Sequence, residues 1–121
     1  MMSDLLSGRR ILVVEDEMLI ALMIEDILEE HGCQSVTSTA TVKKAISLIE
    51  SQSFDAAMLD MNLGGEDSST VADALSERGV PFIYSTGNDR SEMAAGSGNH
   101  AVLYKPYQET DLIAALTKLL S

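Results

Sequence analysis

The chain has little cysteine, proline, aromatic residue or positive charge. Its 121 residues include one cysteine, two prolines and no tryptophan, and only 8 basic residues stand against 19 acidic ones. The single Cys33 excludes an internal disulfide. The formal net charge of −11 disfavours binding to nucleic acid or to an anionic membrane, because both depend on clustered lysine and arginine. Such a balance suits cations and basic partner surfaces instead.

Long apolar runs are also missing. No run reaches the length of a membrane-spanning helix, and the N-terminal MMSDLLSGRR has no apolar core of the kind found in a cleavable signal peptide. We therefore expect a cytoplasmic protein without a membrane partner. The length predicts a single domain over 1–121, in which 1–8 form a flexible N-terminus and no output domain follows.

Five short apolar runs predict β-strands. Three of them are continuous rather than alternating, as in strands that are buried on both faces of a parallel sheet. The second run is short and polar, which predicts an edge strand. The runs are RILVVE (10–15), SVTST (35–39), AAMLD (56–60), PFIYS (81–85) and AVLY (101–104).

Apolar residues at helical spacing predict a helix after each of the first three runs and a last helix over 108–120. Thr41 is placed to cap the second helix. The segment 88–100 carries only a weak apolar pattern before two glycines, which predicts a short, frayed or mobile helix. The apolar stripe of the first helix comprises Leu19, Ile20, Met23, Ile24, Ile27 and Leu28.

Strands that alternate with helices along the whole chain predict a doubly wound α/β domain with helices on both faces of a parallel sheet. Two strand orders compete, and the length favours the five-stranded order 2-1-3-4-5 over a six-stranded dinucleotide-binding fold. In either order a ligand site is expected at the carboxyl ends of the strands, where the order reverses.

Polar side chains cluster at those strand ends. Glu15 and Asp16 end the first strand, Asp60 the third and Thr86 the fourth, while Lys105 follows the fifth. Three neighbouring carboxylates repel one another and need a cation, and hard oxygen ligands favour Mg²⁺. A lysine suits a phosphoryl oxygen, and an aspartate can act as a nucleophile to form an aspartyl phosphate. The pattern indicates phosphoryl transfer onto a carboxylate.

Simpler interpretations exist for each residue alone. Glu15, Asp16 and Glu17 could be a solvated turn that caps the next helix, since acidic residues favour a helix N-terminus. Asp60 could be a turn residue before Gly64, and Thr86 only a strand-end hydroxyl. The coincidence of these residues with Lys105 favours the functional interpretation.

Four motifs resemble those of one family. LVVEDE (12–17), MLDMNLGG (58–65), YSTGN (84–88) and YKPY (104–107) occur in the order and spacing of the receiver domain of two-component response regulators. The resemblance covers nearly the whole chain and implies the flavodoxin-like receiver fold. It also implies that a sensor histidine kinase transfers a phosphoryl group to Asp60.

The same resemblance implies a metal site for Mg²⁺, with Mn²⁺ as an alternative. Asp16 and Asp60 would bind the metal directly, Asn62 through its backbone carbonyl and Glu15 through a water molecule.

Thr86 would hydrogen-bond the phosphoryl group, and Lys105 would bridge that group and the acidic residues. By the resemblance, the peptide bond between Lys105 and Pro106 would be cis, a conformation largely reserved for proline.

YSTGN and NLGGE narrow the resemblance to the alphaproteobacterial FATGUY receivers. These are named for a run on the fourth strand, Phe-Ala-Thr-Gly followed by an apolar residue and Tyr, of which only Thr86 and Gly87 match outright in this chain. Ordinary receivers carry an aromatic residue three positions before the lysine, where this chain has Val102. Tyr104 and Tyr107 are the nearest aromatic residues. A different route of transmission is therefore expected, in which phosphorylation orders the segment 88–100.

Three functions follow from this pattern. The first is a stand-alone receiver that switches a protein-binding surface made of 88–100, 101–104 and 108–120. It would be a monomer or weak dimer, phosphorylated by a kinase of the HWE or a related type, with no enzymatic activity beyond self-phosphorylation and autodephosphorylation. The second is a phosphate sink or relay intermediate. The third, a small phosphatase of the haloacid dehalogenase type, is disfavoured because Asn62 stands where that class needs a second acid.

Overall fold

A five-stranded parallel sheet with helices on both faces forms the domain. The computed structural model describes residues 5–63, 66–86 and 101–121. The described strands are β1 (Arg10–Val14), β2 (Ser35–Thr39), β3 (Ala56–Asp60), β4 (Asn62–Leu63), β5 (Glu66–Asp67), β6 (Phe82–Thr86) and β7 (Ala101–Tyr104). The described helices are α1 (Met18–Glu30), α2 (Val42–Ser51), α3 (Ser69–Glu77) and α4 (Glu109–Leu120).

The strand order is β2-β1-β3-β6-β7, and all neighbours in this sheet run parallel. When only these five strands are counted, the order is 2-1-3-4-5, so the predicted topology is confirmed. The short strands β4 and β5 pair antiparallel with each other outside the main sheet. They are a local addition after β3 that the sequence pattern did not predict.

Burial follows the sheet order. Every residue of the central strands β3 and β6 is buried, whereas all five residues of β2 are only partly buried. This difference confirms the prediction that 35–39 is an edge strand. Parallel central strands are covered by helices on both sides, which explains their continuous apolar runs.

Each face of the sheet has its own hydrophobic core. Side chains of Leu12, Leu59 and Tyr84 pack with those of α2 and α3, and we call this side the α2/α3 face. Alternate residues of the same strands, such as Val13 and Met58, pack with α1 and α4 on the α1/α4 face.

Helix α1 is oriented differently from the prediction in its first half. Ile24 and Leu28 of the predicted apolar stripe are buried, but Leu19 is 81% exposed and Met23 is 41% exposed. Ala21 takes part in the buried face instead. Helix α2 begins as predicted, since the Oγ1 of Thr41 accepts a hydrogen bond from the backbone N–H of Lys44 at 3.2 Å.

The packed domain starts earlier than predicted. Leu6 is buried in the core of the α1/α4 face, and the N–H of Gly8 donates to the carbonyl of Gly32 at 2.8 Å. Residues 1–4 and the predicted mobile helix 88–100 lie outside the described residues. In the part of the chain that is described, no helix has the length and apolar character needed to cross a membrane.

Candidate functional site at the carboxyl edge of the sheet

The alternation of strand residues places three charged side chains on one face. Glu15 follows Val13 by two residues, Asp60 follows Met58 and Lys105 follows Leu103, and these three apolar residues all belong to the core of the α1/α4 face. Because β1, β3, β6 and β7 are parallel and adjacent, their carboxyl ends meet at one edge. The topology therefore brings side chains up to 90 residues apart into one site.

Three carboxylates converge there. One oxygen each from Glu15, Asp16 and Asp60 can be chosen so that all lie within 4.8 Å of one another. Glu15 and Asp60 are buried and Asp16 is exposed, so the cluster opens to solvent on one side. The backbone N–H of Glu17 donates to Oε2 of Glu15 at 3.2 Å, which fixes the first carboxylate.

Lys105 is the counter-ion of this cluster. Its Nζ lies 3.2 Å from Oε1 of Glu15, 3.2 Å from Oδ2 of Asp60 and 3.9 Å from Oε1 of Glu17. The contact with Glu17 was not predicted, because a third consecutive acid after the strand is typical of a solvated turn. A buried or partly buried ammonium between two carboxylates neutralises charge that would otherwise oppose folding.

Burial and the neighbouring Asp60 perturb the carboxyl group of Glu15. Burial, followed by the hydrogen bond and the negative charge of Asp60, raises the pKa of Glu15 from 4.5 to about 7. Burial alone would lower the pKa of Lys105, but the charges of Asp60 and Glu15 outweigh it and raise that pKa above its usual value. The site is therefore short of positive charge even with the lysine in place.

The lack of positive charge and the carboxylate oxygens at this site fit a divalent cation. Mg²⁺ prefers oxygen ligands and binds through one or two carboxylates while it keeps several waters. Glu15, Asp16 and Asp60 supply such oxygens within the span of one ion. Asn62, whose carbonyl was predicted as a further ligand, begins β4 two residues beyond Asp60.

Thr86 ends β6 and is buried at the same edge. Its carbonyl accepts a hydrogen bond from the backbone N–H of Lys105 at 2.7 Å, and it lies in register with Tyr104. The residue in register with Asp60 is Ser85, which is also buried. Ser85 was not predicted as a site residue, because its pairing with Asp60 depends on how β3 and β6 are aligned, which the sequence does not show.

The predicted switch residues separate into two groups. Val102 lies in register with Tyr84 and packs on the α2/α3 face, away from the carboxylates. Pro106 and Tyr107 lie beside the site and line a cavity of about 430 Å³ next to Lys105. The bond between Lys105 and Pro106 is cis, as predicted.

A doubly wound sheet with an acidic cluster and a lysine at its carboxyl edge defines a class of α/β domains with a ligand site at the point where the strand order reverses. The particular family follows from a match of residues 11–117 to the model of the response regulator receiver domain. The chain belongs to this family, whose members act in two-component signalling, bind Mg²⁺ at an acidic site and are phosphorylated by histidine kinases.

Among curated proteins, the chain is similar to the transcriptional regulatory protein PdtaR of Mycobacterium tuberculosis. The two are 30% identical over an alignment of 118 residues, and the match covers 94% of this chain and 58% of PdtaR. The transcriptional regulatory protein YvrH of Bacillus subtilis is 26% identical over 88% of this chain and 46% of its own length. The chain thus spans about half the length of these relatives.

Solved structures of similar proteins cover the whole domain. The solution structure of SdrG from Sphingomonas melonis Fr1 has 40% sequence identity and a TM-score of 0.82, and the match covers 99% of this chain and 100% of SdrG. The receiver domain of the sensor histidine kinase PA1611 from Pseudomonas aeruginosa has 27% identity and a TM-score of 0.81, with 94% and 98% covered. That protein has a magnesium ion coordinated in its active-site cleft.

Proposed function

We propose that this domain is a phosphorylation-controlled binding switch, in which Asp60 accepts a phosphoryl group from a histidine kinase. The observation that carries the proposal is the position of Lys105, whose Nζ lies 3.2 Å from both Asp60 and Glu15. An aspartate so placed has a cation beside it that can neutralise the charge of an incoming phosphoryl group.

In the transfer, a carboxylate oxygen of Asp60 forms a bond to phosphorus as the bond between phosphorus and the kinase histidine breaks. The electron pair of that breaking bond stays on the imidazole nitrogen. The ammonium of Lys105 then neutralises part of the negative charge on the phosphoryl oxygens, and the hydroxyl of Thr86 donates a hydrogen bond to one of them.

A divalent cation would supply neutralisation of the negative charge shared by the phosphoryl group and the acidic cluster. Asp16 and Asp60 would hold it directly, Asn62 through its backbone carbonyl and Glu15 through water. The proximity of the three carboxylates supports this assignment, as does the preference of Mg²⁺, or of Mn²⁺ in its place, for oxygen ligands.

We assign the domain to the FATGUY subgroup of receivers and a kinase of the HWE or a related type as the donor. YSTGN and the valine at position 102 support this assignment. Beyond self-phosphorylation and autodephosphorylation, it would have no enzymatic activity, and it would act in the cytoplasm as a monomer or weak dimer.

The output surface would be formed by residues 88–100, strand β7 and helix α4. Tyr104 supports this choice, since it is 37% exposed on β7 and lies in register with the buried Thr86. A change at Thr86 can thus be passed to an exposed aromatic ring one strand away.

Substitution of the acceptor tests the function directly. The wild-type domain is incubated with Mg²⁺ and acetyl phosphate, or with a panel of phosphorylated histidine kinases, and acid-labile label is measured. We expect label on the wild type and none on Asp60→Asn. Asp73→Asn, an exposed acid on α3, is the matched control and should be labelled like the wild type. Label on Asp60→Asn would disprove the assignment.

A further inference from the structure

The hydroxyl of Tyr107 is buried without a partner. Its Oη is inaccessible to solvent and forms no hydrogen bond in the described part of the chain. The ring lines the cavity of about 430 Å³ together with Lys105 and Pro106, and it packs against the core of the α1/α4 face. The ring therefore reaches solvent on one side, while the hydroxyl points into the protein.

The surroundings of this hydroxyl are acidic. Burial, followed by the negative charges of Glu15 and Asp60, raises the pKa of Tyr107 above its usual value. The phenol stays protonated and can only gain by donating its proton in a hydrogen bond. The carboxylates of Glu15 and Asp60 are good acceptors, but in this structure both are paired with Lys105, whose Nζ lies 3.2 Å from each.

A phenylalanine would fill the same space without this difficulty. A buried hydroxyl that gives up its bonds to water and gains none destabilises the folded state, whereas an aromatic C–H does not. The hydroxyl therefore suits a second state of the domain, in which an acceptor becomes available to it.

We propose that Tyr107 is a positioning residue for the phosphorylated state, in which its hydroxyl donates a hydrogen bond to Glu15. Phosphorylation of Asp60 draws Lys105 towards the phosphoryl oxygens, because these carry more negative charge than a single carboxylate. Glu15 then loses a donor, and Tyr107 replaces it. This inference rests on the proposed function, since it needs a phosphoryl group on Asp60.

Removal of the hydroxyl tests the proposal with two measurements that should change in opposite directions. In EDTA, we expect Tyr107→Phe to unfold at a higher urea concentration than the wild type, since it loses an unsatisfied group. With Mg²⁺, we expect it to bind beryllofluoride, a phosphoryl mimic, roughly tenfold more weakly, which corresponds to one hydrogen bond to a charged group. If the tyrosine had only a structural role, its substitution would not both raise the urea midpoint and weaken beryllofluoride binding.

Ser35→Ala is the matched control. Among the described residues, the Oγ of Ser35 is the other buried side-chain polar atom without a hydrogen-bond partner. Ser35 lies at the start of β2, at the edge of the sheet opposite the site. Its removal should also raise the urea midpoint but leave beryllofluoride affinity unchanged. A spectroscopic measurement adds to this comparison: beryllofluoride should shift the tyrosine absorption of the wild type to longer wavelength, and Tyr107→Phe should lose that shift.

The outcomes separate this inference from the function on which it rests. If the wild type binds no beryllofluoride and accepts no phosphoryl group, the proposed function fails. If the wild type binds and Tyr107→Phe binds equally well, or is less stable than the wild type in EDTA, only the role of Tyr107 is overturned.

Discussion

The Nζ of Lys105 lies 3.2 Å from Oε1 of Glu15, whose side chain is only 2% exposed. The two residues are 90 positions apart in the sequence and directly follow the non-adjacent strands β1 and β7. Such a pair is rarely favourable in itself, because both charges lose hydration, but loss of one partner leaves the other uncompensated. We therefore expect Lys105 to be needed for stability, in addition to the role in phosphoryl binding that we propose for it.

Lys105→Met should therefore destabilise the domain. Without the ammonium, Glu15 and Asp60 repel each other in a buried site, and we expect the free energy of unfolding at pH 8 in EDTA to fall by about 3 kcal/mol. Addition of Mg²⁺ should restore most of the loss. Urea denaturation measures both effects.

The control for this substitution is Lys43→Met, which removes an exposed lysine of α2. Its free energy of unfolding should stay within about 0.5 kcal/mol of the wild type. A Lys105→Met protein that is as stable as this control would contradict the role of Lys105 as counter-ion.

Glu15→Gln should change how stability depends on pH. The pKa of Glu15 rises from its ordinary value of 4.5 to about 7 in the folded protein. The folded state therefore binds the proton more tightly than the unfolded state does. The stability that Glu15 contributes is complete below pH 4.5 and is lost as the pH rises through 7. In EDTA, Glu15→Gln should match the wild type near pH 4.5 and become the more stable protein by pH 8, by on the order of 3 kcal/mol.

Urea midpoints measured from pH 4.5 to pH 8 give this comparison. Glu29→Gln, an exposed position on α1, should follow the wild-type curve throughout. If the difference between Glu15→Gln and the wild type does not vary with pH, burial does not perturb this carboxylate.

The acidic cluster could be predicted from sequence because it needs little more than alternation and strand order. Glu15, Asp60 and Lys105 each follow an apolar strand residue by two positions, so their shared face follows once the sheet is parallel. The pairing of Asp60 with Ser85 could not be predicted in the same way. It depends on the register between β3 and β6, which is determined by packing over the whole sheet.

The orientation of α1 shows a second limit. Its sequence has apolar residues on more of its circumference than the sheet can cover, and hydrophobic periodicity alone does not distinguish between them. The helix starts just after the carboxyl end of β1, so its first turns lie at the edge of the sheet, where Leu19 and Met23 remain exposed. Further along, Ile24 and Leu28 lie over the strands.

Thr86→Val should uncouple phosphoryl binding from the exposed face of β7. Thr86 and Tyr104 lie in register, and the two strands are further joined by the 2.7 Å bond from the N–H of Lys105 to the carbonyl of Thr86. In the wild type, beryllofluoride with Mg²⁺ should shift the aromatic NMR signals of Tyr104. In Thr86→Val, which lacks the hydroxyl donor, that shift should shrink severalfold at saturating ligand.

Assignment of these signals is simple because the chain has three tyrosines, so single Tyr→Phe variants identify each ring. Shifts in backbone signals next to Asp60 show that the variant is saturated. An unchanged Tyr104 shift in saturated Thr86→Val would mean that the coupling to β7 bypasses the threonine side chain.

Two leucines of α1 should respond very differently to truncation, although both belong to the stripe that was predicted to face the core. Leu28 is fully buried, so Leu28→Ala should lower the free energy of unfolding by about 3 kcal/mol, through lost burial and the cavity left behind. Leu19 is 81% exposed, so Leu19→Ala should change it by less than about 0.5 kcal/mol. Alanine suits a helix at least as well as leucine, so helix propensity does not add to the loss at either position. Urea denaturation of both variants in one buffer decides the matter, and a loss at Leu19 comparable to that at Leu28 would show that the start of α1 packs against the domain.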